Sequence, residues 1–284
     1  MMNADLIQEV KEKLDNRQRL FLSPPHPLLQ RYISCYVFYM KPNPYHSVIT
    51  TTLSIIPDAS GCIVFTCYED RMQGLLWGPT TEVKKVENSL ADRTYFFVEF
   101  LPGGLRAFTG MDLAELRDKV VNLEDINKKL SVRIMEALRS TTCLSSFASR
   151  MNHLFLQLHD HHSNLNPLIL SSMEYILQHE GSVRVKEVAH KHYISERQLQ
   201  RSFQQHVGIN VKKYASIVQF NQTIHRLKRK QDLPPLSSLT NASGFFDESH
   251  MISTFHKMIG LTPSTFKENM SDFYNDAHKF PCKI

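Results

Sequence analysis

Apolar and polar positions divide the chain into a strand-rich part followed by a helical part. Up to about residue 101, runs of β-branched and aromatic residues are bounded by Pro and Gly, which is typical of short antiparallel strands. Elsewhere apolar side chains recur every three or four positions, the spacing of an amphipathic helix. Strands are predicted at Tyr36–Met40, Thr50–Ile56, Gly61–Tyr68 and Thr94–Leu101, and helices at Leu6–Leu14, 112–121, 124–160 and 210–230.

One of the predicted helices carries a continuous apolar stripe. Such a stripe either packs on the core of its own domain or forms the seam of a dimer. Core packing is the preferred interpretation, and a homodimer is left open. The stripe consists of Leu144, Phe147, Met151, Leu154 and Leu158.

Two helix-turn-helix patterns follow in tandem, at about 185–208 and 236–260. Ser195 and Asp247 stand at the predicted N-cap of the second helix of each unit. Gly208 stands where the first of these helices should end, because glycine readily adopts the left-handed conformation of a helix C-terminus. Each pattern therefore predicts two short helices joined by a tight turn, a motif that binds DNA.

The second helix of the first unit has two different faces. Leu199 and Phe203 point to one side, and the opposite side carries only Arg and Gln. Arg pairs bidentately with guanine and Gln with adenine in the major groove, and both side chains also reach phosphates. An ordinary solvated helix face is the alternative interpretation. The outer residues are Arg197, Gln200, Arg201 and Gln204.

Positive charge is concentrated around the first unit. Residues 184–230 contain eleven Lys or Arg and two Glu, a net charge of +9, whereas residues 1–165 are neutral overall. This division is typical of a phosphate-binding module joined to a separate sensor. Residues 231–284 carry a net charge of −2, and the outer face of the second unit has no Lys or Arg. We therefore expect the first unit to hold DNA more tightly than the second.

The predicted helix at 210–230 sets the distance between the two units. A helix of that length spans roughly 30 Å, and successive major-groove faces of B-DNA lie about 34 Å apart. One chain would therefore reach two adjacent half-sites. The apolar positions of this helix are Val211, Tyr214, Ile217, Phe220, Ile224 and Leu227.

These motifs resemble the DNA-binding domain of the AraC/XylS family of bacterial transcription regulators, over residues 166–270. The closing pattern, a Gly-Phe followed by a helix and then Gly-x-Thr-Pro, is far more restrictive than a lone helix-turn-helix. The matching residues are Glu187, Val188, Ala189, Ser195, Leu199, Arg201, Phe203, Gly208, Tyr214, Gly244, Phe245, Ser249, His250, Phe255, Gly260, Thr262, Pro263 and Phe266.

The resemblance implies double-stranded DNA as a partner and, because most such relatives activate transcription, contact with RNA polymerase. The chain departs from the family at Ser253, where a basic residue is frequent, and at Phe220, where the connecting helix often has Arg. The expected DNA contacts are Ser195, Arg197, Gln198, Gln200, Arg201, Gln204, Lys212, Lys213, Lys228, Arg229, Glu248, Ser249, His250, Ile252, Ser253 and Lys257.

The N-terminal part resembles, more loosely, the cupin-like sensor domain that precedes this DNA-binding domain in part of the family. The resemblance rests on the order of Pro57-Asp58, the strand from Gly61, Gly78-Pro79 and the segment Phe100–Leu105. The expected fold class is α+β, with a cupin-like antiparallel β-barrel and flanking helices before an all-α tandem helix-turn-helix domain. The barrel interior is the expected site of a small-molecule effector.

Three residues are candidates for that effector site. Glu99 alternates with Tyr95 on one strand face, where a carboxylate among aromatic rings can pair with a polar or cationic ligand. The alternative is an exposed strand face. Trp77, the only tryptophan, either lines the pocket or fills the core, and the core is preferred.

The sequence divides into three expected regions. Residues 1–165 form a sensor and dimerisation domain with a helical linker at about 124–165, residues 166–270 bind DNA, and residues 271–284 form a polar tail. The expected function is that of a sequence-specific DNA-binding regulator, an activator, whose N-terminal domain binds an effector or dimerises. The alternative is a ligand-independent regulator whose N-terminal domain is a protein-interaction module.

An enzyme is not expected, because no catalytic, cofactor or metal pattern stands out. The strands offer only His26 and His46, too few for a metal-dependent cupin enzyme. The histidines between 153 and 162 form either a metal clamp or, preferably, a solvated hinge. The five cysteines fit reduced thiols, with a Cys62–Cys67 redox pair left open. Without a signal peptide or an apolar run of about 18 residues, a soluble cytoplasmic protein is expected.

Overall fold

The computed structural model describes residues 20–40, 52–68, 71–87, 94–162, 165–229 and 234–268. In this part of the chain, antiparallel strands dominate up to residue 100 and helices follow residue 122, so the predicted α+β class is confirmed. The predicted helix at Leu6–Leu14 lies outside the described residues.

The four predicted strands are present, and four further strands accompany them in the described residues. The strand β5 lacks β-branched residues and contains Gly74, and β6 is mostly charged, so neither has the composition that marks a strand. The strands are β1 (Leu20–Ser23), β2 (Ile33–Met40), β3 (Thr52–Ile55), β4 (Cys62–Tyr68), β5 (Arg71–Trp77), β6 (Lys84–Glu87), β7 (Thr94–Phe100) and β8 (Val120–Asn122).

The strands form two antiparallel sheets. Six lie in one sheet in the order β1-β2-β7-β4-β5-β8, and β3 pairs with β6 separately. In the described residues the larger sheet is open, with β1 and β8 at its edges, so these strands do not close the barrel that the cupin resemblance implies.

The central strand β7 shows how the sheet is covered. Phe96, Val98 and Phe100 are buried, and the ring of Phe96 lies 5.1 Å from that of Phe147 on a covering helix. Tyr95, Phe97 and Glu99 share the opposite face, as the sequence predicted, and this face is half-exposed. One face of the sheet therefore packs on helices, and the other is the candidate effector face.

The helices are numbered in chain order. No helix of the described residues is long and apolar enough to cross a membrane. They are α1 (Gly104–Thr109), α2 (Leu113–Leu116), α3 (Leu123–Ser140), α4 (Leu144–His162), α5 (Pro167–Gln178), α6 (Val185–Lys191), α7 (Glu196–Val207), α8 (Val211–Arg229), α9 (Leu236–Ala242), α10 (Glu248–Ile259) and α11 (Pro263–Glu268).

Two helical predictions were wrong in their extent. The region 112–121 contains only the short helix α2, because the chain then turns at Asp118 with φ 59° and β8 pairs with β5. The region 124–160 is divided between α3 and α4, since Thr141 adopts an extended conformation at the end of α3. The non-local pairing of β8 explains the first error.

The apolar stripe of α4 lies in the N-terminal core, which confirms the preferred interpretation. Leu144, Phe147, Met151 and Leu154 are buried there, and Leu158 packs against the same cluster. The helices α3 and α4 therefore cover the sheet, rather than serving only as a bridge between domains.

The thiols of Cys62 and Cys67 cannot form a redox pair in this fold. They lie five residues apart in β4, which places them about 17 Å apart along the strand and on opposite faces. Burial also raises the pKa of the Cys67 thiol to about 11, so that this thiol is neutral at physiological pH. The hypothesis of a switch between these two cysteines is therefore wrong.

A second core joins the C-terminal helices. Its members include all six apolar positions predicted for the connecting helix α8, together with residues of both helix-turn-helix units. Ile56 and Ala59, which precede β4, are also buried in this cluster. The N-terminal part therefore contributes side chains directly to the core of the helical part.

Contacts between the two parts converge on the end of α7. Its C-cap, Gly208, has φ +85°, and a Cβ there would lie 2.6 Å from the carbonyl oxygen of Leu113 and 3.0 Å from Cγ of Pro79. Arg106 adds a long contact, from its guanidinium to the carbonyl oxygen of Gln205 at 3.4 Å. The short helices α1 and α2 and the loop at Pro79 thus contact the C-terminal end of α7.

Candidate DNA-binding surface

The first helix-turn-helix unit is formed by α6 and α7. The amide of Gln198 donates a hydrogen bond of 3.2 Å to Oγ of Ser195, which caps α7 as predicted. At the other end, the Gly208 amide donates to the carbonyl oxygen of Gln204 at 3.0 Å in a left-handed cap. Both boundaries of the second helix follow from these local contacts.

The two faces of α7 are divided as the sequence predicted. Leu199 and Phe203 are fully buried, and the ring of Phe203 lies 5.6 Å from that of Tyr214 on α8. This packing turns the opposite face of α7 toward solvent. The exposed residues of that face are Arg197, Gln198, Arg201 and Gln204.

Gln200 is the exception on this face. Its side chain is half-buried, and its Oε1 accepts a hydrogen bond of 3.2 Å from the backbone amide of Val211. Val211 is the first residue of α8, whose initial amides have no partner within the helix. Gln200 therefore helps to begin the connecting helix, and base reading by this residue would require that contact to break.

Neighbouring lysines at the start of α8 have different surroundings. Lys212 is exposed, whereas Lys213 is half-buried and its Nζ lies 3.6 Å from Sδ of Met258 in the second unit. Burial lowers the pKa of Lys213, and the carboxylates of Glu82 and Asp118 partly offset this effect. The expected DNA contact by Lys213 therefore conflicts with its position between the two units and the N-terminal part.

Some of the other basic residues between 184 and 230 are not free to contact phosphates. Arg226 forms a two-pronged ion pair with Glu180, at 2.6 and 2.7 Å. The side chains of Lys228 and Arg229 lie outside the described residues. Between residues 184 and 227, the exposed basic residues are Arg184, Lys186, Lys191, Arg197, Arg201 and Lys212, and they lie in the first unit or directly after it.

The second unit, formed by α9 and α10, repeats this construction with fewer charges. The His250 amide donates to Oδ1 of Asp247 at 2.6 Å, so Asp247 is the predicted N-cap. Met251, Phe255 and Met258 are buried, as predicted for the inner face. Glu248, Ser249, His250 and Lys257 are exposed, and Ile252 and Ser253 are half-buried.

A buried glutamine that was not among the predicted site residues connects the second unit to α8. Nε2 of Gln219 donates to the carbonyl oxygens of Ser243 at 3.1 Å and Gly244 at 2.9 Å, in the turn between α9 and α10. The signal was available, since Gln219 is a polar residue within the apolar stretch of α8. Gln219 is thus a positioning residue for the second unit.

The candidate effector residues lie on the half-exposed face of the larger sheet. The strand register places Glu99 directly between Cys35 on β2 and Cys62 on β4, and Cys62 faces Trp77 on β5. Tyr95 stands four residues from Glu99 on the same face, with its ring 5.9 Å from that of Tyr39. Trp77 is half-buried, but its Nε1 is buried and has no hydrogen-bond partner among the described residues.

The described residues contain no group of three or more His, Cys, Asp or Glu arranged to hold a metal ion. The histidines named above have other contacts. Nε2 of His159 lies 2.9 Å from the hydroxyl of Tyr32, and Nε2 of His153 lies 2.8 Å from Nε2 of Gln157. Side chains of the histidines at 161 and 162 lie outside the described residues.

This geometry defines a tandem helix-turn-helix DNA-binding domain. Residues 188–269 match a helix-turn-helix domain family, and residues 23–122 match a domain of unknown function, DUF6597. The chain therefore carries an AraC-type helix-turn-helix domain behind a DUF6597 domain, and the resemblance to the AraC/XylS family is confirmed. A domain of this type indicates a DNA-binding transcription regulator.

Solved structures give two further likenesses. The C-terminal domain of AraT, a response regulator from Geobacillus stearothermophilus, has 22% identity over 41% of this chain and 97% of that chain, with a TM-score of 0.36. ToxT from Vibrio cholerae O395 has 10% identity over 85% of this chain and 97% of that chain, with a TM-score of 0.41. No curated protein matches the chain.

The contact of Gln200 with α8 generates a stability prediction. We expect Gln200→Ala to lower the free energy of unfolding by about 1 kcal/mol, because an amide at the start of a helix loses its acceptor. Gln200→Glu should retain stability, since a carboxylate accepts the same hydrogen bond and favours a helix N-terminus. Urea unfolding measures both, with exposed Gln204→Ala as the control. Equal losses for the Ala and Glu variants would contradict the capping role.

Proposed function

We propose that this protein is a sequence-specific DNA-binding transcription regulator whose first helix-turn-helix unit provides most of the affinity and base reading. The observation that carries the proposal is the outer face of α7, where Arg197 and Arg201 are exposed while the inner face is buried. In helix-turn-helix proteins this second helix enters the major groove, with its N-terminal residues at the base edges. The second unit would occupy the adjacent half-site with fewer phosphate contacts.

The direction of regulation is a further part of the proposal. The AraC/XylS resemblance supports activation through contact with RNA polymerase. A reporter promoter carrying the selected DNA site tests this in cells. Transcription that rises with the protein is the expected result, and transcription that falls would indicate a repressor.

Selection from a random pool of duplexes tests the DNA-binding proposal. The full-length protein is used to enrich duplexes, and fluorescence anisotropy then compares the enriched duplex with a shuffled one across a salt series. We expect the preference to persist as salt rises, because counterion release affects phosphate contacts with both duplexes alike. Equal binding to both duplexes at every salt concentration would contradict sequence-specific recognition.

Arg201 provides a prediction about base reading. We expect Arg201→Ala to weaken binding to the enriched duplex by about 1–3 kcal/mol, since one bidentate base contact is lost. Binding to the shuffled duplex should change much less. Ser253→Ala in the second unit should have a smaller effect than Arg201→Ala. A larger loss from Ser253→Ala would show that the second unit dominates.

The neighbouring lysines of α8 form a matched pair. We expect Lys212→Met to weaken binding to both duplexes and to reduce the salt slope by about one, because an exposed lysine releases one counterion when it meets a phosphate. Lys213→Met should leave affinity and slope unchanged, since its half-buried ammonium lies beside Met258. Equal effects of the two substitutions in anisotropy titrations would refute this distinction.

For the N-terminal domain we propose a small-molecule effector site on the half-exposed sheet face. The indole Nε1 of Trp77 is buried and has no hydrogen-bond partner among the described residues. A ligand with an acceptor atom would satisfy this donor. The carboxylate of Glu99, on the same sheet face as Trp77 and Tyr95, favours a polar or cationic ligand. These two groups would therefore set the ligand's orientation.

The chain offers a short route from this face to α7. Trp77 is followed by Gly78, where a Cβ would lie 1.9 Å from the carbonyl oxygen of Leu116, and then by Pro79, which packs at Gly208. A ligand that moves Trp77 would press the adjacent Gly78 and Pro79 against the backbone of Leu116 and against Gly208, because neither contact leaves room for a side chain. We propose that effector binding acts on DNA affinity through this contact.

Fluorescence of Trp77 tests the effector proposal, since it is the only tryptophan. Small organic ammonium compounds are titrated into the full-length protein while emission and DNA affinity are followed. We expect both signals to change at the same concentrations, and Glu99→Gln to weaken the compound's affinity about tenfold through loss of a charged contact. DNA binding that remains specific while no compound shifts the emission would favour the protein-interaction alternative.

A further inference from the structure

Two aromatic side chains are almost completely exposed on the helix-turn-helix units. Tyr193 is 95% exposed and Phe246 is 93% exposed, far more than the other exposed large apolar residues of the described part, Leu28 at 66% and Val120 at 42%. Each lies in the turn that precedes the second helix of its unit. An aromatic ring in water gives up the burial that normally stabilises it, so the repetition in both units calls for an explanation.

The backbone makes Tyr193 more unusual. The helices α6 and α9 end in the same way. The amide of Ile194 donates to the carbonyl oxygen of Ala189, and the amide of Phe245 donates to the carbonyl oxygen of Thr240, each at 3.1 Å. The residue before each donor is left-handed, with φ 55° at Tyr193 and φ 67° at Gly244.

The second unit uses glycine at this position, as most helix ends of this kind do. The first unit keeps a bulky aromatic residue where the left-handed conformation is strained. Strain of this kind persists only where the rest of the structure maintains it, which suggests that the side chain itself has a use.

The second unit displays its aromatic residue in another way. Ile194 is followed directly by the cap Ser195, whereas Phe245 is followed by one additional residue, Phe246, before the cap Asp247. Phe245 is buried, so the additional residue points outward. Both units therefore present an exposed ring within two residues of the N-cap, although their turns differ in length.

The position of these rings selects their partner. In a helix-turn-helix, the N-terminal end of the second helix meets the base edges and the first helix crosses the DNA backbone. The turn that joins these two helices therefore lies beside the DNA. Exposed Lys191 and Arg197 flank Tyr193 in sequence, so this turn is attractive to phosphates. In the second unit, the residue next to Phe246 is the acidic Asp247. Its carboxylate is already engaged at the start of the helix, where it accepts a hydrogen bond from the His250 amide.

We propose that Tyr193 and Phe246 both pack against the DNA at the edge of their half-sites, on deoxyribose and thymine methyl groups. This inference rests on the proposed function, because it requires that the second helices occupy the major groove. Apolar contact with sugars and thymine methyls adds affinity without neutralising a phosphate. Phe246 thus provides the second unit with a DNA contact that does not depend on that unit's few basic residues.

Tyr193→Gly and Phe246→Ala in the full-length protein test the proposal on the duplex enriched from the random pool. Each should reduce affinity about tenfold, which corresponds to about 1.4 kcal/mol. The slope of log affinity against log salt should remain that of the unaltered protein, since neither residue releases a counterion. Tyr193→Gly should melt at the same temperature or higher, because glycine relieves the left-handed strain.

The control is Leu28→Ala, which removes an exposed apolar side chain from the N-terminal part and should leave affinity unchanged. Unchanged affinity of both aromatic variants would overturn the proposal. Unchanged affinity combined with loss of reporter transcription would also overturn it, since the rings would then contact a protein such as RNA polymerase. If the unaltered protein enriches no duplex, the proposed function itself fails, and this contact fails with it.

Discussion

Burial of the connecting helix α8 between the two helix-turn-helix units determines where their second helices stand. Tyr214 near its start packs on Phe203 of the first unit. Phe220 at its midpoint packs on Phe255 of the second unit, with ring centroids 4.9 Å apart. Gln219 adds hydrogen bonds to the turn of the second unit. Because both units share one core with α8, neither can rotate on its own without opening that core.

The same rigidity gives the N-terminal part a direct connection to DNA recognition. Gly208 at the end of α7 has no room for a side chain, since the carbonyl oxygen of Leu113 and the ring of Pro79 occupy that space. Burial raises the pKa of the nearby Tyr214 phenol, and the charge of Asp58 in the N-terminal part raises it further. A change at this end of the sheet would therefore act on the first unit, which also carries more exposed basic residues than the second.

Features that depend on neighbouring residues could be predicted from the sequence. The caps at Ser195 and Asp247 and the buried faces of α7 and α10 follow from short-range spacing, and the structure has them as predicted. Gln200 and Lys213 could not be placed in this way, because each meets a residue of another helix, and helical periodicity does not register such contacts. The strand β8 was missed for the same reason, since it exists only through pairing with β5.

From the charge difference between the units and the rigid α8, we infer that a single chain reads two adjacent half-sites with unequal strength. A hydroxyl-radical footprint of the full-length protein on its enriched duplex tests this claim most directly. We expect two protected segments on one face of the duplex, about one helical turn apart. Protection should be deeper over the segment whose protection is reduced by Arg201→Ala. A single protected segment would contradict this inference. Two segments that are protected equally, and whose protection Arg201→Ala reduces equally, would also contradict it.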